Sequence, residues 1–287
     1  MNGAAGTGLD RAAARRAFER AAACYDAAAV LQREVATRLL ERLDLIRFAP
    51  RTVLDAGCGT GFALAALHRR WPRARLLGLD LAVAMARRAR RALPWWRRRR
   101  LRVMAGDLQA LPLRDASVDL VFSSLALQWC DDLDAALGEC RRVLRPGGLL
   151  LFTTFGPDTL KELRAAWAEA DGHVHVNTFT DLHDVGDALV RQGFVDPVTD
   201  AEWITMTYRT VRDLMDDLKA VGAHNVNRGR PPGLTGRGRL ARMEAAYEKF
   251  RVDGRLPATH EIVYGHAFAP ELEPGVRPVA WHPRAPA

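Results

Sequence analysis

The chain has 287 residues, 48% of them hydrophobic, a length that suits one α/β domain with insertions or two small domains. No apolar run approaches the roughly 18 residues needed to span a bilayer, and residues 1–17 lack a secretory signal's apolar stretch of about 7–15, so a soluble, cytoplasmic protein is expected. Lys+Arg 42 against Asp+Glu 34 gives a formal net charge of +8, mostly arginine, a balance that suits acidic partners or an arginine-rich surface.

Residues 11–46 read as helix, with Phe18, Ala22, Tyr25, Ala29 and Gln32 recurring on one face. A linker ending at Pro50 leads into strand 52–55. Strand and helix then alternate: helix 61–70, strand 75–80, helix 82–92, strands 101–105 and 118–124, helix 132–144, strand 148–155. Arg145-Pro-Gly-Gly148 is a helix stop followed by a turn. Such alternation argues for a parallel sheet covered by helices. Beyond Phe155 the pattern loosens. A helix over 161–171, a polar link with His173 and His175, and a helix over 182–192 precede strand-like runs at 194–198 and 203–208. Residues 210–252 look helical at both ends around a glycine- and arginine-rich loop, 224–239. Residues 261–268 are a last strand, and the proline-rich stretch from 270 reads as a loose tail.

The motif that carries most chemistry is Asp55-Ala-Gly57-Cys58-Gly59-Thr60-Gly61, at the end of the first strand. Glycine there permits positive φ and lets a ligand lie against the backbone. A dinucleotide fingerprint would place its third glycine at position 62, which is Phe62. Three aspartates stand at or just beyond successive strand ends, where open α/β sheets bind ligands. Asp80 can accept from both hydroxyls of a ribose, and Asp107, in Gly106-Asp107, from an adenine amine. Asp55 can hold the turn or face a cation. Each alone also fits a turn or cap, but all three together with the glycine turn point to a nucleoside-bearing ligand.

Glycine turn, Asp80 and Gly106-Asp107 over about residues 50–155 resemble the class I S-adenosylmethionine-dependent methyltransferases. The resemblance implies a Rossmann-like, seven-stranded, mostly parallel sheet whose last strand is antiparallel, with helices on both faces and helical insertions over the active site. It implies S-adenosylmethionine as cofactor, contacted by Asp55, Gly57, Gly59, Gly61, Asp80, Leu81, Asp107, Leu108, Ser123 and Phe18. The expected organisation is an amino-terminal helical cap (1–49), a methyltransferase domain (50–269) with insertions at about 157–180 and 210–256, and a flexible tail (270–287).

The flanks narrow the match. Phe18-Glu-Arg20 with Tyr25-Asp26 and Leu31-Gln32, then Asp107-Leu-Gln-Ala-Leu-Pro112, Gln128-Trp129, Thr154-Phe-Gly-Pro157 and Leu218 to Asn225 are similar to the malonyl-[acyl-carrier protein] O-methyltransferases of biotin synthesis. The arginine hydroxylases of respiratory complex I assembly share the fold and are the alternative. The resemblance implies methyl transfer to a malonyl carboxylate on an acidic acyl-carrier protein, a reaction that needs no general base and relies on placement and exclusion of water. An arginine clamping both carboxylate oxygens would favour the ground state over the transition state, so none is expected. Tyr25 and Phe18 are placed over the cofactor, with Tyr25 excluding water and orienting an oxygen. Gln32, Asn225, Arg228 and Arg230 are the expected substrate and carrier contacts.

The two arginine clusters fall on opposite faces. Trp95-Trp96-Arg97-Arg98-Arg99-Arg100 precedes the third strand and reads as a solvated turn away from the site. Arg228, Arg230, Arg237 and Arg239 lie between the sixth and seventh strands, on the active-site side, where they suit a carrier protein. No motif speaks for nucleic acid or membrane binding, and no metal is expected. His173 and His175 read as an exposed loop without ligand spacing, and Cys24, Cys58, Cys130 and Cys140 as reduced thiols without a C-x-x-C pair.

Overall fold

A run of five residues that buries every side chain, β1 (Thr52–Ala56), lies in the middle of the sheet in the computed structural model, which describes residues 8–92, 100–223, 225–227 and 236–271. Three helices precede it: α1 (Arg11–Ala21), α2 (Tyr25–Ala28) and α3 (Val30–Arg42). After it come α4 (Phe62–Arg70), β2 (Arg75–Asp80), α5 (Val83–Ala92), β3 (Leu101–Ala105), β4 (Val118–Ser124), α6 (Leu133–Val143) and β5 (Leu144–Phe155). The chain continues through α7 (Lys161–Ala170), α8 (Leu182–Arg191), β6 (Val195–Tyr208), α9 (Val211–Ala220), α10 (Arg237–Tyr247) and β7 (Leu256–Phe268).

The sheet order is β3-β2-β1-β4-β5-β7-β6, parallel from β3 to β5, with β7 antiparallel to both of its neighbours. This is the seven-stranded sheet with an antiparallel last strand that the motifs imply. Successive side chains of a strand face opposite sides, and the core divides accordingly. Leu54, Leu77 and Val121 pack with α6 and α8 through Leu137, Val143, Val185 and Leu189. Val53, Leu76, Leu120 and Phe122 pack with α3 and α4 through Leu39, Leu64 and Leu67. Strands covered on both faces read as nearly continuous apolar runs, which is why these were recognisable in the sequence.

Three elements differ from the sequence reading. The helix expected over 11–46 is divided at Ala22–Cys24 and at Ala29, although neither break holds glycine or proline. Tertiary contacts turn the chain there: Asp26 accepts from the Thr60 hydroxyl at 2.5 Å and faces Arg88 at 3.5 Å and Arg33 at 3.6 Å. The two runs around 194–208 are one 14-residue strand, paired with β7 from Val195↔Phe268 to Tyr208↔Leu256. Its middle is polar because β6 is an edge strand: Asp200 binds Arg42 and Glu202 binds Arg38, both on α3. β7 begins five residues before the expected 261, at Leu256.

The segments after β5 and after β6 share a smaller core, built on Leu163, Trp167, Leu214, Met243 and Tyr247. Both emerge at the carboxyl ends of the parallel strands, so their helices stand beside the ligand crevice. At the amino ends, Arg51, Arg73, Arg75, Arg100 and Arg145 surround a groove with Asp119. The tryptophans and arginines at 95–99 lie outside the described residues. Asp119 ties β1 to β4, accepting from the backbone N–H of Arg51 (2.8 Å) and Thr52 (2.7 Å) and from Arg145 Nη1 (2.6 Å). Hydrogen bonds to charged groups contribute more than neutral ones, and their loss here strands two strand-end donors. Asp119→Ala is expected to cost about 2–4 kcal/mol in urea unfolding, with Asp119→Asn losing about half of that.

Candidate functional site

The backbone of the glycine turn is held by β2. Gly57 and Cys58 donate their N–H groups to the Leu79 carbonyl at 2.8 and 2.9 Å, and Gly59 donates to Asp80 Oδ2 at 2.9 Å. Gly57 has φ +85°, and a Cβ there would lie 2.2 Å from the Ala126 Cβ, so only glycine lets the turn after β4 come this close. Gly61 starts α4 in a left-handed conformation (φ +96°), and a Cβ there would press on Ala89 of α5 at 3.1 Å, so glycine also lets these two helices pack.

The cleft lies over this turn, lined by Gly57, Gly59, Asp80, Leu81, Asp107 and Leu108 on the sheet side. Asp80 is pushed up to about 6, chiefly by burial, against which the N–H groups of Ala82 and Gly59 pull it down. Asp55 stands deeper, 1% exposed, and is pushed up to about 8 by burial and then by the nearby Asp80 carboxylate. Its Oδ2 is buried without a hydrogen-bond partner. Asp107 accepts from the Gln109 N–H at 2.9 Å and forms an ion pair with Arg11 of α1. Ser123 departs from the reading: it is fully buried and its hydroxyl is spent on the Ala56 carbonyl at 2.8 Å, while Ser124, one residue on, lines the cleft. The alternation of a strand decides which of two serines faces the ligand side.

The cap forms the roof. Phe18 of α1 meets Trp129 edge-on, centroids 5.1 Å apart, and the Tyr25 ring lies over Gly59. Burial raises the Tyr25 hydroxyl well above its ordinary range, with Asp80 and Asp26 acting in the same direction, so it stays neutral and can donate. Glu19 fixes α1 to the fold by accepting from the first N–H groups of α5, Val83 at 2.6 Å and Ala84 at 3.0 Å. Leu9 and Asp10 add backbone bonds to Asp131 and to the Val226 carbonyl. Arg11, Met85 and Ser124 also line the cleft and carry no motif that sequence reasoning could have used.

Two further pockets continue from it. One, under Tyr25, holds Asp26, Gln32, Arg33 and Asp55. The other, beside α7 and β7, shares Gln32 with the first and Trp129 with the main cleft, and adds His175, Asn177, Asn225 and His260. Gln32 thus stands at the junction. Asn225 lines the second pocket, but its polar atoms are engaged: its amide donates to the Val174 carbonyl at 2.6 Å and its Oδ1 accepts from Asn227. It holds the 173–177 link rather than reaching into the space. His175 is not the exposed loop residue expected, since its side chain is 9% exposed. Arg228 and Arg230 lie outside the described residues. Among the described residues no group of three or more His, Cys, Asp or Glu could hold a metal ion, and the four cysteines form no disulfide.

The Methyltransferase domain family model matches residues 54–152, the span from β1 through most of β5. Over nearly its full length the chain is similar to curated malonyl-[acyl-carrier protein] O-methyltransferases. It is 53% identical to that of Methylovorus sp. (strain MP688), over 96% of each chain, and 54% identical to that of Laribacter hongkongensis (strain HLHK9), over 97% of this chain and 98% of the other. Among solved structures, the YcgJ protein of Bacillus subtilis superposes with a TM-score of 0.59 at 16% identity, over 82% of this chain and 99% of that one. That likeness speaks for the fold.

Asp55 makes the site costly in the free protein. Its folded pKa lies above the unfolded 3.8, so the folded state holds the proton more tightly and stability falls as pH rises from about 4 to about 8. Asp55→Asn removes that slope. Thermal melts should show the variant gaining on the parent across this window, by several degrees at pH 8 and no further above it.

Proposed function

This chain belongs to the malonyl-[acyl-carrier protein] O-methyltransferases, and from that membership we propose that it methylates the free carboxylate of a malonyl group on acyl-carrier protein, with S-adenosylmethionine as donor. The product is the methyl ester that starts pimeloyl and biotin synthesis. Asp55 carries the cofactor half of this reading: a buried carboxylate with an unpartnered oxygen suits a cation, and the donor brings both a sulfonium and an ammonium. The substrate half rests on relatives, 41 to 54% identical, that bear this enzyme's name. Those relatives favour this reading over the rival one, a protein-modifying enzyme akin to the arginine hydroxylases.

The residues present fit the cofactor. Asp80 offers acceptors to ribose hydroxyls at the end of β2, and Asp107 an acceptor to an adenine amine once Arg11 shares it. Leu81, Leu108 and Met85 supply apolar walls for a base, and the Gly57–Gly59 backbone supplies the floor. When bound, S-adenosylmethionine supplies a methyl group on a sulfur that already leaves readily. The chain then has three tasks. It roofs the site with Phe18, Trp129 and Tyr25, which keeps water out. It directs the neutral Tyr25 hydroxyl toward the reacting region, and it positions the carboxylate through the pocket that opens at Gln32. A carboxylate is ionised at neutral pH, so no base need remove a proton. The pocket beside α7 fits this economy, because its described lining contains no arginine or lysine to hold the nucleophile in its ground state, whereas Arg33 lines the other pocket at Gln32.

An acidic carrier must meet the face where that pocket opens. Arg237 and Arg239 open α10, in the connection between β6 and β7, and Arg228 and Arg230 belong to the same connection in the sequence. Opposite charge on this face would speed encounter and weaken with salt.

Two measurements test this. Incubation with methyl-labelled cofactor should place alkali-labile label on malonyl-[acyl-carrier protein]; label on other protein and none on the malonyl carrier would return the reading to the protein-modifying class. Reversing charge with Arg228→Glu and Arg230→Glu should raise KM for the carrier substrate by about five-fold or more, whereas Arg73→Glu and Arg75→Glu, at the opposite edge of the sheet, should leave it within about two-fold. Equal effects would remove the docking surface.

A further inference from the structure

We propose that Arg33 binds the carboxylate at the methionine end of the cofactor; this rests on S-adenosylmethionine as the donor. With adenine at Asp107 and ribose at Asp80, as proposed above, the cofactor lies over the glycine turn. The main cleft and the pocket under Tyr25 share Tyr25, Gly57, Gly59 and Ser124, so the far end of such a ligand enters that pocket, where Asp55 stands. That end carries an ammonium and a carboxylate. Asp55 suits the ammonium, and the carboxylate needs a cation or N–H donors of its own.

Two cations line these spaces among the described residues, Arg11 and Arg33. Arg11 stands at the adenine end, paired with Asp107. Arg33 stands at the other end, in the lining that also holds Asp55, Gly59 and Thr60. Its guanidinium is located by two neighbours: Nη2 lies 3.6 Å from Asp26 Oδ1, and Cζ lies 5.9 Å from the centre of the Phe62 ring. Burial, then Asp80 and Asp26, raise the Tyr25 hydroxyl, and Arg33 acts against them, so its charge is felt at the roof of the site. A guanidinium stays charged whatever surrounds it.

The donors of this guanidinium are open. Among the described residues its nitrogens make no hydrogen bond, and at 3.6 Å Asp26 stands beyond hydrogen-bond reach. Asp26 is shared besides, accepting from the Thr60 hydroxyl at 2.5 Å and facing Arg88 at 3.5 Å. Arg42 shows the contrast, engaging Asp200 through two bonds of 2.7 Å. Helix α3 adds to the same field. It begins at this pocket, its cap Ala29 offers no side-chain acceptor, and Ala29, Gln32 and Arg33 all line the space. A cation near the amino end of a helix opposes the helix dipole, so local energetics disfavour arginine at this position. An anion bound there relieves both.

The malonyl group also brings a carboxylate, and the chemistry separates the two. The malonyl carboxylate loses its charge as its oxygen bonds to the methyl carbon and the carbon–sulfur bond breaks, so a cation clamped on it opposes the reaction. The methionine carboxylate has the same charge before and after transfer. Holding it tightly leaves the barrier unchanged and fixes the sulfonium that carries the methyl group. The arginine therefore belongs on the carboxylate that does not react.

The test removes the same contact from either side. Calorimetry gives the dissociation constants of S-adenosylmethionine and of its decarboxylated form, which keeps the adenosine, sulfonium and ammonium, for the parent, Arg33→Gln and Arg33→Lys. The parent should bind the decarboxylated ligand about ten-fold or more weakly. Arg33→Gln should weaken S-adenosylmethionine by about as much and leave the decarboxylated ligand within about two-fold, so that the two losses do not add. Arg33→Lys, which keeps a point charge, should fall between the parent and Arg33→Gln. KM for malonyl-[acyl-carrier protein] at saturating cofactor should stay within about two-fold. A parent that binds both ligands equally would overturn the assignment without any variant, as would variants that weaken both ligands alike or neither. A rise in that KM with cofactor binding unchanged would put Arg33 on the malonyl carboxylate and overturn it too. A parent that binds neither ligand would instead sink the cofactor reading, and this proposal with it.

Discussion

Two carboxylates at the ends of adjacent parallel strands, Asp55 on β1 and Asp80 on β2, set the terms for the rest of the structure. Both are driven toward the neutral form chiefly by burial, and the Asp80 carboxylate makes Asp55 harder still to ionise. No salt bridge relieves Asp55 among the described residues. The backbone offers partial relief to Asp80 through Gly59 and Ala82, and that same bond fixes the glycine turn. A pair held in this way stands ready for a ligand that is cationic at one end and rich in hydroxyl donors at the other. The stability sacrificed in the free protein is returned on binding, as is usual where strain and burial concentrate at a functional site.

The cap converts that open crevice into an enclosed one. α1 reaches the cleft only because Glu19 satisfies the exposed N–H groups of α5, Arg11 pairs with Asp107, and Phe18 meets Trp129. These contacts join three separate strand-end loops to one helix. A ligand under this roof leaves water behind, and the carboxylate chemistry proposed here depends on that more than on any acid or base. The second pocket extends the same logic. It is furnished with neutral amides, a neutral histidine and an oriented His–Asp pair, so substrate can be placed without being held too firmly in its charged form.

Legibility in the sequence followed physical cause. β1, β2 and β4 were readable because strands buried on both faces concentrate apolar residues over a short run. β6 was broken into two because an edge strand carries charge where an inner strand cannot: Asp200 and Glu202 look like loop until Arg42 and Arg38 of α3 are seen opposite them. The amino-terminal breaks left no local mark, since Asp26 turns the chain by contacts with Thr60 and Arg88, 34 and 62 positions away. The site divides in the same manner. Asp80 and Asp107 declare themselves by standing at strand ends. Ser123 and Ser124 are chemically alike, and only the pleat decides that the first faces the Ala56 carbonyl and the second the cleft. Asp171 lies four residues before His175, a spacing visible in the chain, yet nothing local says that it meets His175 Nε2 at 2.8 Å or that Trp167 stacks on the ring.

The chain by itself therefore determined the sheet, the glycine turn and the acidic residues that meet a nucleoside, because each depends on burial patterns and backbone freedom within a few residues. Tertiary structure decided which side of a strand a serine shows, where the first helix ends, and that His175 faces a pocket instead of solvent. Those outcomes arise from contacts between segments far apart in sequence, whose energies exist only once the segments have met.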